Sequence, residues 1–374
     1  LGNSPDAIDR IHEAAEALRK EAAGLDPSSE LAAQNRLVRA RLYLAVAGLR
    51  IGQNDLGAAR REIEASLALL PEMAVANAML GFVLERTGKL EEAVEHYSMA
   101  LECDPGNINA LRSRASANLN LHRNREAIKD LERLCDLGLE GEGARIRLAV
   151  AYFRLNEFET AHSHYQKALD LNLDPSDEAQ VHHHLGLIED RAGSLDRAIE
   201  EYQTALALDP RLVGARLDLA SALNRLGRYQ EAADLFGQVV EVDPKSSRAR
   251  RGEAEALASM GRWQEARRLL EEGWRAMPES VELLHALARL LATADDPEVR
   301  NGERALDLAQ RTLRAGTTPS RLETLAMASA ETGLFVEAVR LQRRVIQMVT
   351  WSGHLDALPR LEANLARYLA GQTC

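Results

Sequence analysis

Two stretches of this 374-residue chain carry the same residues at the same spacings. LGFVLERTGKLEEAVEHYSMALECDP spans residues 80–105, and LGLIEDRAGSLDRAIEEYQTALALDP spans residues 185–210. Gly81, Gly88, Ala93, Tyr97, Ala100 and Pro105 of the first match Gly186, Gly193, Ala198, Tyr202, Ala205 and Pro210 of the second. A fixed internal period outranks any local signal, because it defines the unit being stacked. Each stretch reads as helix, turn, helix. Small residues at Gly81 and Ala93 let two helices approach closely. Gly88 ends the first helix, where a positive φ is wanted. Pro105 follows the second helix, whose interior it could not join. Apolar residues make up 46% of the chain and aromatics only 4%, so Ala, Leu and Val must build the core. Ala and Leu are strong helix formers, and the expected class is all-α.

The frame extends in both directions. With the first small residue at position 8, that position falls at Ala45, Gly81, Ala115, Ala149, Gly186, Ala220, Ala254, Ala288 and Ala326. Position 20 falls at Ala59, Ala93, Ala127, Ala161, Ala198, Ala232, Ala266, Ala305 and Ala338. Tyr97, Tyr165, Tyr202 and Phe236 at position 24 fill the space toward the neighbouring unit. Nine units result, over residues 38–73, 74–107, 108–141, 142–178, 179–212, 213–246, 247–280, 281–318 and 319–350. Residues 1–37 read as an N-terminal capping helix, 5–23, with a linker and Ser4 as its N-cap. Residues 351–374 read as a C-terminal cap, its helix over 354–370. Caps are needed because terminal units expose an apolar face.

Departures from the frame are local. The first repeat reads as carrying two extra residues near Gly52, and the third has His122 in place of the turn Gly. The fourth has a longer exit before Asp174–Pro175, and the eighth has about five extra residues within ADDPEVRNG.

This pattern resembles the tetratricopeptide repeat, a unit of about 34 residues. The resemblance implies a right-handed α–α superhelix of about nine helix–turn–helix repeats. Residues 287–372 also resemble a tail that closes arrays in multidomain bacterial proteins, which implies a bacterial chain lacking an upstream domain.

Chemistry-bearing motifs are sparse. His182, His183 and His184 are consecutive, so on a helix they point about 100° apart and cannot share one metal. His162 and His164 lack the i, i+4 spacing of a helical metal pair. Gly141–Glu142–Gly143 is not preceded by a strand and reads as the loop between repeats three and four. Cys103, Cys135 and Cys374 form no C-x-x-C, and the first two read as partly buried free thiols, or as a disulfide pair if the chain is exported. No catalytic residue, metal site or cofactor is expected. A formal net charge of -11 argues against nucleic acid as partner. No apolar run is long enough to span a membrane, and the opening LGNSPDAIDR does not read as a signal peptide. A cytoplasmic chain and an exported, processed one fit equally.

The resemblance places ligand contacts at positions 2, 5, 9 and 12 of the first helices, which line a concave face. Val46, Phe82, Val150, Phe153 and Leu187 form an apolar strip there, either open to a partner or filled by the chain's own termini. Arg112, Arg251 and Arg289 add positive charge, with Arg248 beside them and His183 also at position 5. The Lys and Asn pair by which some relatives hold acidic chaperone tails is absent. Position 13 carries an arginine ladder: Arg50, Arg86, Arg154, Arg191 and Arg225. Such cations either complement the helix dipole at its C-terminus or receive an acidic partner segment. The expected function is a non-enzymatic scaffold that binds a protein or peptide segment. The alternatives are the docking half of a larger bacterial enzyme or exported redox protein, and a scaffold that self-associates.

Overall fold

In a computed structural model, residues 5–138, 141–353 and 355–373 are described. They form twenty α-helices and no strand. The chain divides into two compact units between Asp174 and Pro175, in the long exit of repeat four. No described helix is long and apolar enough to cross a membrane.

The first unit opens with α1 (Pro5–Ala22), followed by four helix pairs. These are α2 (Glu30–Gly52) with α3 (Leu56–Leu69), α4 (Ala74–Arg86) with α5 (Leu90–Cys103), α6 (Ile108–Asn120) with α7 (Asn124–Asp136), and α8 (Gly141–Arg154) with α9 (Phe158–Leu169). The second unit has five pairs: α10 (Pro175–Arg191) with α11 (Leu195–Leu208), α12 (Val213–Arg225) with α13 (Tyr229–Val242), α14 (Ser247–Ser259) with α15 (Trp263–Ala276), α16 (Val281–Thr293) with α17 (Gly302–Leu313), and α18 (Pro319–Glu331) with α19 (Phe335–Ser352). A 3-10 turn, Leu355–Ala357, leads into α20 (Leu358–Leu369). Within each unit a first helix packs on its second helix, and that one on the next first helix.

The helix ends follow local chemistry. Asp55 and Asn107 cap α3 and α6 by accepting from the backbone N–H of Ala58 and Ala110, both at 3.0 Å. Gly88, Gly193, Gly227, Gly261 and Gly333 all have φ between 76 and 83°. Where the turn residue is not Gly, Asn54, His122 and Asn156 hold the same left-handed conformation, with φ of 60, 58 and 63°. Asn bears that conformation at lower cost than most side chains.

The core is built from the small and aromatic positions. All nine alanines at position 20 are fully buried. Tyr97, Tyr165 and Tyr202 are at most 1% exposed, and Phe236 is 2% exposed. A Cβ on Gly81 would lie 2.7 Å from Tyr97, and one on Gly252 would lie 2.4 Å from Phe236. Only glycine fits beneath those rings. Arg114 joins three helices by donating to both Asp130 oxygens, at 2.9 and 2.7 Å, and to Ser98 Oγ at 2.9 Å.

Four expectations need correction. Ala45 is exposed while Ala47 is fully buried. Ala47, Asn54 and Ala59 align with Gly81, Gly88 and Ala93 at one constant spacing, so repeat one carries no extra residues. The first helix of that repeat begins at Glu30, well before residue 38. Gly141–Gly143 is the first turn of α8 rather than a loop. Cys103 is exposed and Cys135 half-buried, both as free thiols. The Ser4 cap, residues 139 and 140 of the repeat-three exit, His354 and Cys374 lie outside the described residues.

Candidate partner-binding face

Within each unit the first helices present positions 2, 5 and 9 of each repeat along one side. In the first unit this side is open and partly apolar. Val75 and Phe82 of α4, at positions 2 and 9, are 53% and 36% exposed. Leu31 and Val38 of α2 are also exposed but precede the first position of repeat one, whose position 5 residue, Leu44, is buried. The Arg86 guanidinium carbon lies 5.9 Å from the centre of the Phe82 ring. Arg112 is exposed in the next repeat. Val150 and Phe153 of α8 are half-buried, and Phe153 meets Phe158 edge-on at 5.5 Å.

Val46 does not belong to this face. It is fully buried, because the two-residue shift of the frame moves it from position 9 to position 7. The same shift removes Arg50 from the ladder and puts Gly52 at position 13. Arg50 instead lies 3.8 Å from Asp55 in its own turn.

Three of the other ladder arginines reach back one repeat. Arg86 donates to Asn54 Oδ1 at 3.1 Å, and Arg154 to the Leu119 carbonyl at 2.8 Å. Arg225 pairs with Asp190. Leu119 and Asp190 lie in the last turns of α6 and α10, where unpaired carbonyls make the helix end negative. These arginines therefore tie the C-terminal end of one first helix to that of the next. Arg191 is exposed.

In the second unit the corresponding positions are laced by charge. His183 shares a 2.7 Å hydrogen bond with Asp218, which also takes Arg248. Burial pushes the Asp218 carboxyl up, but the bonds from His183 and Arg248 outweigh it and hold it below the usual value. Leu187 is half-buried on the Tyr202 side of the core. Arg251 donates to Glu282 at 2.8 Å and to Glu255 at 3.0 Å. Arg289 lies 3.7 Å from Glu323, which also pairs with Arg360 of α20. Glu323 and Met327, the position 5 and 9 residues of repeat nine, are only 4% and 5% exposed. Between α14, α16 and α18 a cleft of about 510 Å³ is lined by Arg251, Glu255, His285, Arg289 and Arg321 among others. Burial pushes the His285 pKa down, and its Nε2 meets Thr324 Oγ1 at 2.9 Å.

The histidine run separates as helical geometry requires. His182 pairs with Glu201 at 2.6 Å, His183 with Asp218, and His184 with the Gln180 carbonyl at 2.8 Å.

Glu323 falls at position 5 by the period alone, whereas the carboxylates Asp218 and Glu282 were not legible as part of this face from motifs. Their signal is an acid about one repeat beyond a base on the same side of the first helices.

Two family models, both of the tetratricopeptide repeat, match residues 47–108, 112–172 and 146–213, and residues 191–256 and 223–291. The chain belongs to the tetratricopeptide repeat family. Among curated proteins, it is 33% identical over 91 residues to an Hsp70–Hsp90 organizing protein of Triticum aestivum, covering 24% of this chain and 15% of that one. It is 25% identical over 180 residues to a tetratricopeptide repeat and J domain-containing co-chaperone of Fusarium oxysporum f. sp. lycopersici, covering 46% and 33%. The chain thus spans a third or less of these relatives. Among solved structures it is similar to MamA, at 26% identity and a TM-score of 0.41, covering 44% of this chain and 95% of that one. It is similar to YrrB at 19% identity and a TM-score of 0.42, covering 50% and 95%.

Proposed function

We propose that this tetratricopeptide repeat chain is a non-catalytic protein-interaction scaffold. It takes a segment of a partner protein on its first-helix face, with the most receptive part on α4 and α6. The observation that carries this reading is the pair of exposed large apolar side chains Val75 and Phe82, two turns apart on one side of α4 at positions 2 and 9. Contiguous exposed apolar surface of this kind marks interaction sites. Arg112 follows on the next repeat, exposed and able to fork onto a carboxylate. In the second unit, by contrast, Arg248, Arg251 and Arg289 are engaged by Asp218, Glu282 and Glu323. A partner there must displace existing ion pairs. The favoured ligand is therefore a segment with apolar anchors for Val75 and Phe82 and an acidic residue for Arg112. The co-chaperone and organizing-protein names of the two curated relatives are in keeping with such a scaffold.

The test is quantitative partner capture with the full chain and with Phe82→Ala combined with Arg112→Glu. Both residues are exposed, so the double variant is expected to melt with the wild type. The partner recovered by the wild type is expected to fall about tenfold or more, as for loss of an interface anchor. Undiminished recovery overturns the assignment of the face.

A further inference from the structure

A second surface lies at the other end of the chain, away from the first-helix positions. Between the first turns of α19 and the last turn of α20 is a cleft of about 780 Å³. Its apolar lining includes Val336, Val339 and Leu369, and its charged lining is Arg340, Arg343 and Arg344. Val336 is 88% exposed and Leu369 60% exposed. α20 has 12 residues against 18 in α19 and stops at Leu369, which leaves the beginning of α19 uncovered. Arg340 is paired with Glu337 at 2.8 Å. Among the described residues, neither Arg343 nor Arg344 has an ion-pair partner, and no carboxylate lines the cleft. In a chain of net charge -11 this is a local reversal of sign.

We propose that this cleft docks an acidic amphipathic helix of a partner protein. An apolar floor flanked by cations calls for a ligand with the opposite arrangement, apolar side chains on one face and carboxylates on its flanks. Leucines of such a helix would cover Val336, Val339 and Leu369. Its glutamates would meet Arg343 and Arg344, whose planar forks suit carboxylates better than an ammonium would. A neutral or basic helix would leave those two arginines unmatched, and complementarity of this kind sets partner choice and register. The occupant differs from that proposed for the first-helix face, and the two surfaces share no residue.

The test uses the full chain and a fluorescein-labelled helical peptide with leucines on one face and glutamates on its flanks, read by fluorescence anisotropy. Saturable binding is expected at low salt and is expected to weaken as salt rises. Arg343→Glu with Arg344→Glu should weaken it about tenfold or more. Val336→Asp should also weaken it, and its exposure makes that change harmless to folding. Phe82→Ala with Arg112→Glu should leave it unchanged, so failure of this proposal is distinguishable from failure of the other. The proposal is overturned by absence of saturable binding, by equal affinity in the charge-reversed chain, or by equal affinity for a glutamate peptide lacking leucines. It is also overturned if sedimentation shows that a second copy of the chain fills the cleft, with Arg343→Glu and Arg344→Glu dispersing the assembly and the peptide failing to compete.

Discussion

Gly186 lies directly beneath the Tyr202 ring: a Cβ at that position would come within 2.5 Å of Tyr202 Cε1 and 3.2 Å of the Ala198 carbonyl. The contact locks α10 to α11 and leaves no room for relaxation toward backbone. Gly186→Ala should therefore destabilise by about 1–3 kcal/mol despite being a one-carbon change, and Gly186→Leu by at least as much. Tyr202→Ala should cost about 3–5 kcal/mol, as for other fully buried aromatics. Urea denaturation followed by circular dichroism checks both. Variants with wild-type midpoints would contradict the packing.

The register of repeat one is tested by a pair of alanines. Ala47 is fully buried and Ala45 exposed. Ala47→Leu should cost about 1–3 kcal/mol by overpacking. Ala45→Leu should stay within about 0.5 kcal/mol of wild type, as for ordinary surface changes. Thermal melts of the two variants decide it, and the reverse order would restore the frame with Ala45 at position 8.

Those alanines also show what could be read ahead of the structure. The repeat was legible because Gly81, Gly186 and the position-20 alanines answer one steric demand, close helix approach, that no other residue types meet. The turn positions were legible for a different reason, the positive φ that ends each first helix, down to His122 holding the conformation of the missing glycine. Repeat one was not, because Ala45 and Ala47 are equally small and the turn there is Asn rather than Gly. Gly141–Gly143 misled because glycine disfavours helix interiors, whereas a first turn lacks full backbone bonding and tolerates it better. The face itself was only half legible. Positions 5 and 9 follow from the period, but whether Arg251 meets solvent or Glu282 depends on a residue one repeat away.

Arg154 and Arg225 act across repeats, one on the Leu119 carbonyl and the other on Asp190. Both are exposed, so solvent screening limits their worth. Arg154→Gln and Arg225→Gln should each lower stability by about 0.5–1 kcal/mol. The loss at Arg225 should shrink at high salt and the loss at Arg154 less so, since its acceptor is a neutral carbonyl. Denaturant titrations at two salt concentrations check this. No loss in either variant would dismiss the inter-repeat tie.

His285 gives the second unit a pH dependence of defined sign. Burial pushes its pKa down; the Ser320 carbonyl pulls it up, and Arg289, Arg321 and Arg251 push it further down. A histidine held below its unfolded value, about 6.5, contributes stability above that pH and loses it as pH falls. The melting temperature should therefore drop on going from about pH 7.5 to about pH 5.5, and His285→Asn should flatten that slope. An unchanged slope in the variant would remove His285 from the account.

The central claim is that a partner segment lies on the first-helix face of the first unit. Photocrosslinking tests it most directly, with a benzophenone side chain placed at Phe82 on α4 or at Met99 on α5. Met99 is itself 46% exposed, so the two probes differ in face rather than in access to solvent. The account predicts a discrete crosslinked partner from position 82, suppressed by Arg112→Glu, and none from position 99. Crosslinking from position 99 alone, or with equal yield from both, would contradict it.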